Sequence, residues 1–387
     1  MHTNTPAELP RTASVVIIGG GCTGLSAAYH LAKAGVRDVV LLERSYLSSG
    51  ATGRCLGGVR AQFAGRDDIV LARASQKRYE NLGAELGFDP LFRQDGYLFL
   101  AFTDGELDYF RENARTQNEV GVATEVLSPD AVKRLAPPLD TTRIAGASYH
   151  ARDGVAVHFA LTWGLAQAAQ RLGAQLHTFT EVRQLHAEKG RVCRVETNRG
   201  AIETEWVINA AGGHARHFAA QLGVDLPVRT MKREAMVTES YKPFLDPFIV
   251  SLRGHAIFQT LRGEVVIEVS DPLAPETHEV GSTVRFLERS AREALRLMPC
   301  LADLRVIRQW AGWYDISPDN RPILGPVEQI AGFLQASGYS GHGFMLAPVV
   351  GQILADLVTR GTTDLPIASF ALSRFDGRSL TKETAVI

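Results

Sequence analysis

The sequence lacks the features that mark several classes of protein. Its four cysteines, at positions 22, 55, 193 and 300, form no C-x-x-C pair, so neither a disulfide framework nor a zinc knuckle is expected and a reducing compartment fits. No apolar run approaches the roughly 18 residues that a membrane helix needs, and residues 1–10 hold no apolar segment typical of a signal peptide. We therefore expect a cytoplasmic protein with no transmembrane segment.

An excess of charge of either sign is also missing. The chain of 387 residues has 41 Lys and Arg against 42 Asp and Glu, a net charge of −1, so no nucleic-acid partner is expected. Apolar residues at 45% and charged residues at 21% are ordinary for a folded protein, which excludes disorder. At roughly 100–200 residues per domain, the length predicts two domains.

The first sixty residues have the pattern of a dinucleotide-binding βαβ unit. Residues 14–18 form a β-branched run, typical of a buried strand, and Gly19-x-Gly21-x-x-Gly24 follows at once. Small and apolar residues then recur at helical spacing over 25–34, and a second strand over 39–42 ends at Glu43. A glycine-rich first turn followed by an acidic residue after the second strand is the dinucleotide fingerprint.

Each residue type in this turn has a physical task. Gly19 permits the tight turn, Gly21 lets the backbone approach a pyrophosphate, and Gly24 lets helix and strand pack closely. The free N–H groups of the helix N-terminus bind phosphate, and Glu43 accepts hydrogen bonds from a ribose. The unit alone does not separate NAD from FAD.

The next segment favours FAD. Residues 48–60 contain glycines, small hydroxyl side chains and two arginines, where a nicotinamide enzyme usually continues into a third βα unit. Such a loop suits an extended cofactor lying along it, although an ordinary flexible glycine loop fits these residues equally well.

The remaining chain predicts a discontinuous cofactor domain and a second sheet. Residues 206–213 and 332–359 again read as strands running into glycines, the second followed by a helix over 347–359. Alternating strand-like segments in 226–312 favour an antiparallel sheet. The predicted division is 12–85, 140–225 and 313–375 for the cofactor domain, 86–139 and 226–312 for the substrate domain, and 1–11 and 376–387 for tails.

Four motifs together resemble a known family. They are residues 19–24 with Glu43 and Arg44, residues 50–60, residues 207–212, and Ser-Gly-Tyr-Ser-Gly-His-Gly-Phe-Met at 337–345. In this order they are similar to the D-amino-acid oxidase superfamily of FAD-dependent amine and amino-acid oxidoreductases. The nearest resemblance is to the β subunits of heteromeric sarcosine oxidase and to dye-linked L-proline dehydrogenase.

The resemblance implies an α/β fold in which a Rossmann-like FAD domain carries an inserted mixed or antiparallel sheet that covers the flavin. It also implies non-covalent FAD. Val182 would lie against the adenine, although a plain strand residue is an equal alternative. The implied cofactor-binding residues are Gly19, Gly21, Cys22, Thr23, Gly24, Glu43, Arg44, Gly50, Ala51, Thr52, Gly53, Arg54, Gly58, Val182, Ala210, Ala211, Gly212, Gly338, Gly341, His342, Gly343, Phe344 and Met345.

The implied reaction is oxidation of an amino acid or secondary amine to an imine. Arg60 aligns with an arginine that contacts the substrate carboxylate, and His342 is a candidate donor near the flavin; a surface role for Arg60 and a loop-holding role for His342 are the alternatives. The carboxylate-binding lysine of monomeric sarcosine oxidase falls on Met345 here. Its oxygen-activating lysine falls near Ile267, which favours a dehydrogenase over an oxidase.

The β-subunit resemblance also implies partners. An α subunit, an electron acceptor and an FMN at the subunit interface are expected from it, and His158 lies near the stretch where heteromeric sarcosine oxidase attaches FMN; a buried core histidine is the alternative. Two other functions stay open. One is an FAD-dependent 2-hydroxyacid or glycerol-3-phosphate dehydrogenase, for which Arg229, Lys232 and Arg233 are available, and the other is a non-catalytic FAD-binding subunit.

Overall fold

The structure, a computed structural model, describes residues 8–271, 273–377, 380 and 382–384. The predicted tails therefore lie partly outside the described residues. Two eight-stranded sheets and a two-stranded ribbon form the framework. The eight helices of the described chain are α1 Cys22–Lys33, α2 Arg66–Leu86, α3 Asp104–Glu119, α4 Pro129–Leu135, α5 His158–Arg171, α6 Ala215–Gln221, α7 Val284–Leu297 and α8 Gly343–Arg360.

The first sheet has a parallel centre. Its strands are β1 Thr12–Ile18, β2 Val39–Leu42, β8 Gln175–His177, β9 Val182–Glu188, β10 Arg191–Thr197, β11 Gly200–Asn209, β17 Ile323–Pro326 and β18 Phe333–Ser337. Along β18-β11-β1-β2-β8 every neighbouring pair is parallel. The carboxyl ends of these strands therefore meet at one edge, where ligands bind in open α/β sheets.

The second sheet is mixed. Its strands are β4 Tyr97–Ala101, β5 Glu125–Leu127, β6 Gly146–His150, β12 Arg229–Ser240, β13 Phe248–Ser251, β14 His255–Gln259, β15 Glu264–Val269 and β16 Val306–Ile316. Their order is β16-β12-β15-β14-β13-β4-β6-β5, and only β13 and β4 pair in parallel. The ribbon pairs β3 Gly58–Val59 with β7 Gly154–Val155. The predicted fold class is confirmed.

Some predicted elements need correction. The sequence of residues 176–182 is typical of one strand, but the structure has there the end of β8, a turn and the start of β9. The helix predicted from residue 347 begins at Gly343, because the motif Gly-Phe-Met is its first turn. The strand β6 lies in a range predicted for the cofactor domain, yet it pairs with β4 in the second sheet. The strand β16 crosses the predicted boundary at residue 313.

The helix α8 also corrects the expectation about apolar runs. By length and composition it is the one helix of the described chain that qualifies as a membrane span. Most of its residues are buried inside the protein, however, in the same core cluster as α1 and the sheet residues Val15 and Ile17. The core position of α8 accounts for its apolar sequence.

The close approach of α1 and α8 depends on Gly351. A Cβ at this position would lie 2.1 Å from Ser26 Oγ and 2.5 Å from the Ser26 carbonyl carbon. Gly351→Ala should therefore lower the free energy of unfolding by about 1–3 kcal/mol, because the helices would have to separate. A urea unfolding curve measures this.

The matched control is Gly105→Ala in the exposed first turn of α3, where an added Cβ would meet nothing within 4 Å. This change should be neutral or stabilising by up to about 1 kcal/mol. Equal effects of the two substitutions would show that helix packing does not constrain position 351.

Candidate functional site

A cavity of about 460 Å³ lies between the carboxyl edge of the first sheet and one face of the second. Many residues predicted from sequence line it. They are Gly19, Gly21, Cys22, Thr23, Glu43, Arg44, Gly50, Ala51, Thr52, Arg54, Val182, Ala210, Ala211, Gly212, Gly341, Gly343 and Phe344. Segments that are distant in the chain therefore converge on one space.

The glycine turn, residues 19–24, forms one end of the cavity. Gly19 has φ +110°, and a Cβ there would lie 2.5 Å from the carbonyl oxygen of Ala210. A Cβ on Gly24 would lie 2.0 Å from the carbonyl oxygen of Gly19, so Gly24 serves the packing of helix on strand and does not line the cavity. Gly21, the N-cap residue of α1, has no side chain, and Thr52 Oγ1 accepts the N–H of Cys22 at 3.1 Å. Gly21, Cys22 and Thr23 line the cavity, so the positive end of the helix faces it.

Glu43 organises the same end. Its carboxylate accepts hydrogen bonds from Gly20 N at 2.8 Å, Ser45 N at 2.8 Å and Ser49 Oγ at 3.1 Å. A carboxylate offers about four acceptor positions, so these three contacts leave capacity for a ligand hydroxyl. Glu43 both fixes the glycine turn and faces the cavity.

The loop of residues 49–56 joins the two sheets across the cavity. Arg54 donates from Nη1 to the carbonyl oxygen of Gly50 at 2.8 Å, and its guanidinium carbon lies 5.6 Å from the Trp313 ring centre. Trp310 Nε1 donates to the Arg54 carbonyl at 3.0 Å. A Cβ on Gly53 would lie 2.3 Å from Ser48 O, and a Cβ on Gly58 would lie 1.9 Å from Tyr97 Oη. These two predicted loop glycines therefore serve packing and do not line the cavity.

The start of α8 forms the other end of the cavity. Gly341 has φ +96°, and a Cβ there would lie 2.6 Å from the Tyr314 ring, so the ring lies against this loop. Gly338 N donates to Asp315 Oδ2 at 2.7 Å, which holds the loop to β16. The predicted residues Gly338 and Met345 do not line the cavity; Met345 is buried in the core beside α2 and its carbonyl accepts from Ser75 Oγ.

Arg60 and His342 are brought together, but behind the cavity wall. Arg60 is 1% exposed, its Nη2 lies 3.0 Å from His342 Nε2, and its guanidinium carbon lies 4.0 Å above the Phe63 ring. It also donates to the carbonyl oxygen of Gln62. Neither side chain lines the cavity. The predicted contact of Arg60 with a substrate carboxylate therefore lacks support in this geometry.

The second sheet supplies an ion pair instead. Arg233 and Glu268 both line the cavity, and Arg233 Nε lies 3.9 Å from Glu268 Oε1. The Arg233 guanidinium carbon lies 5.0 Å from the centre of the Tyr314 ring. Burial raises the pKa of Glu268 to about 7 although Arg233 opposes this shift. The sequence signal for Glu268 is an acidic residue in the otherwise apolar run of residues 265–269.

His158 is half-buried at the start of α5. Burial lowers its pKa to about 4, and its ring lies 4.4 Å from that of the neighbouring Phe159. It does not line the cavity. Its Nε2 has no hydrogen-bond partner within the described part of the chain.

Comparisons with known proteins agree with the fold. The family described as FAD dependent oxidoreductase matches this chain over residues 14–357. The β subunit of sarcosine oxidase from Rhodobacter capsulatus is 30% identical over 374 residues, which cover 95% of this chain and 90% of that protein.

Two solved structures extend the comparison. L-proline dehydrogenase from P. horikoshii superposes with a TM-score of 0.92 at 33% identity, covering 96% of this chain and 100% of that one. Glycine oxidase from Geobacillus kaustophilus gives 0.87 at 27% identity, covering 94% and 99%. The resemblance predicted from the four motifs is confirmed, and the chain belongs to the family of FAD-dependent oxidoreductases.

Proposed function

We propose that this protein is a dehydrogenase that oxidises an amino acid or secondary amine with FAD as its cofactor. One observation carries the proposal: a single cavity is lined both by the glycine turn with Glu43 and by the Arg233–Glu268 pair of the second sheet. The first set suits a nucleotide, and the second suits a small molecule with charges of both signs.

The residues present fit FAD. The cradle near Gly19 and Gly21 is too tight for side chains, Glu43 has spare acceptor capacity for a ribose, and the N-termini of α1 and α8 both face the cavity. We assign the pyrophosphate to residues 19–23, the ribose to Glu43, the adenine to the Val182 region and the flavin to Gly341, Gly343 and Phe344, without a covalent bond. Bound FAD supplies a two-electron acceptor.

The chain's own groups then bind and orient the substrate. Arg233 offers a planar fork to a carboxylate, while Tyr314 and Trp313 form a nonpolar wall beside it that excludes water. The N-terminus of α8 places a partial positive charge next to Gly343 and Phe344, which stabilises negative charge that develops there.

Position 267 favours a dehydrogenase. Ile267 packs in the core of the second sheet, and none of the described cavity-lining residues is a lysine. The proteins that this chain resembles include both a dehydrogenase and oxidases. Our proposal of an acceptor other than oxygen therefore depends on this residue position.

The other two functions are supported less well. Arg229 and Lys232 do not line the cavity, and Lys232 Nζ donates to the Gly281 carbonyl at 2.6 Å. One arginine beside a carboxylate is a poor site for a phosphate dianion, because several cations would be needed. A non-catalytic subunit would leave the Arg233–Glu268 pair without a ligand. Reduction of the bound flavin by an amino acid, measured in the absence of oxygen, distinguishes an enzyme from such a subunit.

We also propose a partner subunit that covers an exposed aromatic patch, defined by Phe88, Phe159 and Trp163. Phe159 and Trp163 are 53% and 55% exposed, and they share a surface depression with Phe88 and Leu47. Large exposed apolar groups mark interaction sites, and matched relatives are named β subunits. The neighbouring His158 makes this surface our candidate contact for an interfacial FMN.

Replacing Glu43 tests the nucleotide end. Glu43→Ala removes the acceptor of Gly20 N and Ser45 N together with the ribose partner. The loss of about 1.5–3 kcal/mol of binding free energy should raise the Kd for FAD by roughly ten- to a hundredfold. FAD titration of the apoprotein measures this. Glu181→Ala, an exposed carboxylate lining the same end, should change it little, and equal effects would place the ribose contact elsewhere.

Replacing Arg233 tests the substrate end. Arg233→Lys keeps the charge but loses the planar fork of the guanidinium, which costs roughly 2–5 kcal/mol of substrate binding. The amino-acid concentration that half-reduces the flavin should therefore rise at least about thirtyfold. FAD content should stay unchanged, and an amine without a carboxylate should react equally with wild type and variant. Arg60→Lys should alter thermal stability more than substrate dependence; the reverse pattern would restore the carboxylate contact to Arg60.

Replacing Trp163 tests the partner surface. Trp163→Glu should reduce the mass of the complex isolated from the protein's own cells, as measured by light scattering after gel filtration, and leave FAD content intact. Tyr241→Glu is the control, since Tyr241 is 49% exposed outside the patch. A complex that forms equally with both variants contradicts the proposed surface.

A further inference from the structure

Glu268 is a buried carboxyl group directed at the cavity. It is 3% exposed, and within the described part of the chain its Oε1 has no hydrogen-bond partner. The separation of 3.9 Å from Arg233 Nε is an ionic contact but not a hydrogen bond. A buried acceptor left without a donor costs about 1–3 kcal/mol, so a ligand that donates to it is stabilised there.

The ionisable groups around Glu268 come from three strands. Arg233 faces it from β12, and the pKa values of the phenols of Tyr314 on β16 and Tyr97 on β4 are raised by burial and in turn by the charge of Glu268. The adjoining strand β14 places Ala256 opposite Glu268. Arg233 is the one cation among these described neighbours, and it too has a buried nitrogen, Nε, without a hydrogen-bond partner.

This arrangement is complementary to a zwitterion. A substrate carboxylate pairs with Arg233, and a substrate ammonium reaches the free oxygen of Glu268, so each buried atom gains a partner of opposite charge. A neutral hydroxyl in place of the ammonium would leave the carboxylate without a cation. The pair therefore selects for amino acids over hydroxy acids.

We propose that Glu268 binds the ammonium group of an α-amino-acid substrate and accepts its proton, so that the substrate reacts as the neutral amine. This rests on the proposed function. In the step one N–H bond breaks, an O–H bond forms on Glu268, and the electron pair stays on nitrogen. That lone pair is required for the later C=N bond, because an ammonium has no electrons to donate when a hydride leaves the neighbouring carbon.

The acidity of Glu268 suits this role. An ordinary glutamate has a pKa of about 4.3 and is a weak base for an ammonium. Burial raises the pKa of Glu268 to about 7, closer to that of an amine. Glu268 accepts a proton only when it is ionised, so the fraction of the proton-accepting form increases as the pH rises through this pKa.

A pair of ligands tests binding without turnover. 2-Aminoisobutyrate has no α-hydrogen to lose, and pivalate has the same shape with a methyl group in place of the ammonium. On the FAD-loaded protein at pH 8, calorimetry should show at least tenfold tighter binding of 2-aminoisobutyrate than of pivalate. Glu268→Gln should abolish this preference.

The wild type alone provides a second measurement if that variant does not fold. Its preference for 2-aminoisobutyrate should increase as pH rises through the ionisation of Glu268, between about pH 6 and 8. A preference that is absent or independent of pH overturns the proposal.

The pH profile of flavin reduction tests proton transfer. With an amino acid that reduces the wild-type flavin without oxygen, Glu268→Gln should slow reduction at pH 7 by at least about a hundredfold. The rate should recover at alkaline pH, where the amine loses its own proton. Glu264→Gln is the control, because Glu264 lies on the same strand but pairs with Arg262 at 2.9 Å outside the cavity; its profile should match wild type.

The possible failures are distinguishable. A Glu268→Gln variant that keeps both the ammonium preference and the wild-type pH profile overturns the role of Glu268 and leaves the proposed function standing. A wild-type protein that holds FAD but is reduced by no amino acid overturns the proposed function itself.

Discussion

The parallel pairing of β18, β11, β1 and β2 is the constraint on which the rest of the structure depends. Because these strands run in one direction, their carboxyl ends lie in register at a single edge, with Ile18 beside both Leu42 and Asn209. The glycine turn, Glu43, the segment after β11 and the start of α8 must then share that edge. Tight backbone approach there requires glycine, and the cavity is the space that remains.

The second sheet closes this space and gives it chemical selectivity. Its strands β12, β15 and β16 present Arg233, Glu268 and Tyr314 to the edge of the first sheet, and Arg54 joins the two sheets through Trp310 and Trp313. Charged groups of opposite sign thus lie in a buried setting, where their interaction with a ligand is stronger than in water. In the proposed function, nucleotide binding and substrate selection are divided between the two sheets.

The sequence predicts which residues line the cavity near the glycine turn, because the requirements of that turn are local. A turn that admits only glycine and an acidic residue after a strand can both be read from neighbouring positions. The helix α2 was missed because its buried face includes Asp68, Ser75 and Gln76, polar residues whose partners come from elsewhere in the fold. The direction of Arg60 depends on the β3–β7 ribbon, and β15 is buried on both faces, so its pattern could not indicate which side faces the cavity.

The packing of α8 on α1 has a consequence for how the protein is made. The helix α1 ends at Lys33 and α8 begins at Gly343, and β18, which pairs with β11, precedes α8 directly. The face of α1 that packs against α8 is therefore uncovered while the residues between the two helices are synthesised, at the stage when aggregation competes with folding. The cofactor cavity is completed only after the start of α8 has left the ribosome, so cofactor loading follows the synthesis of α8.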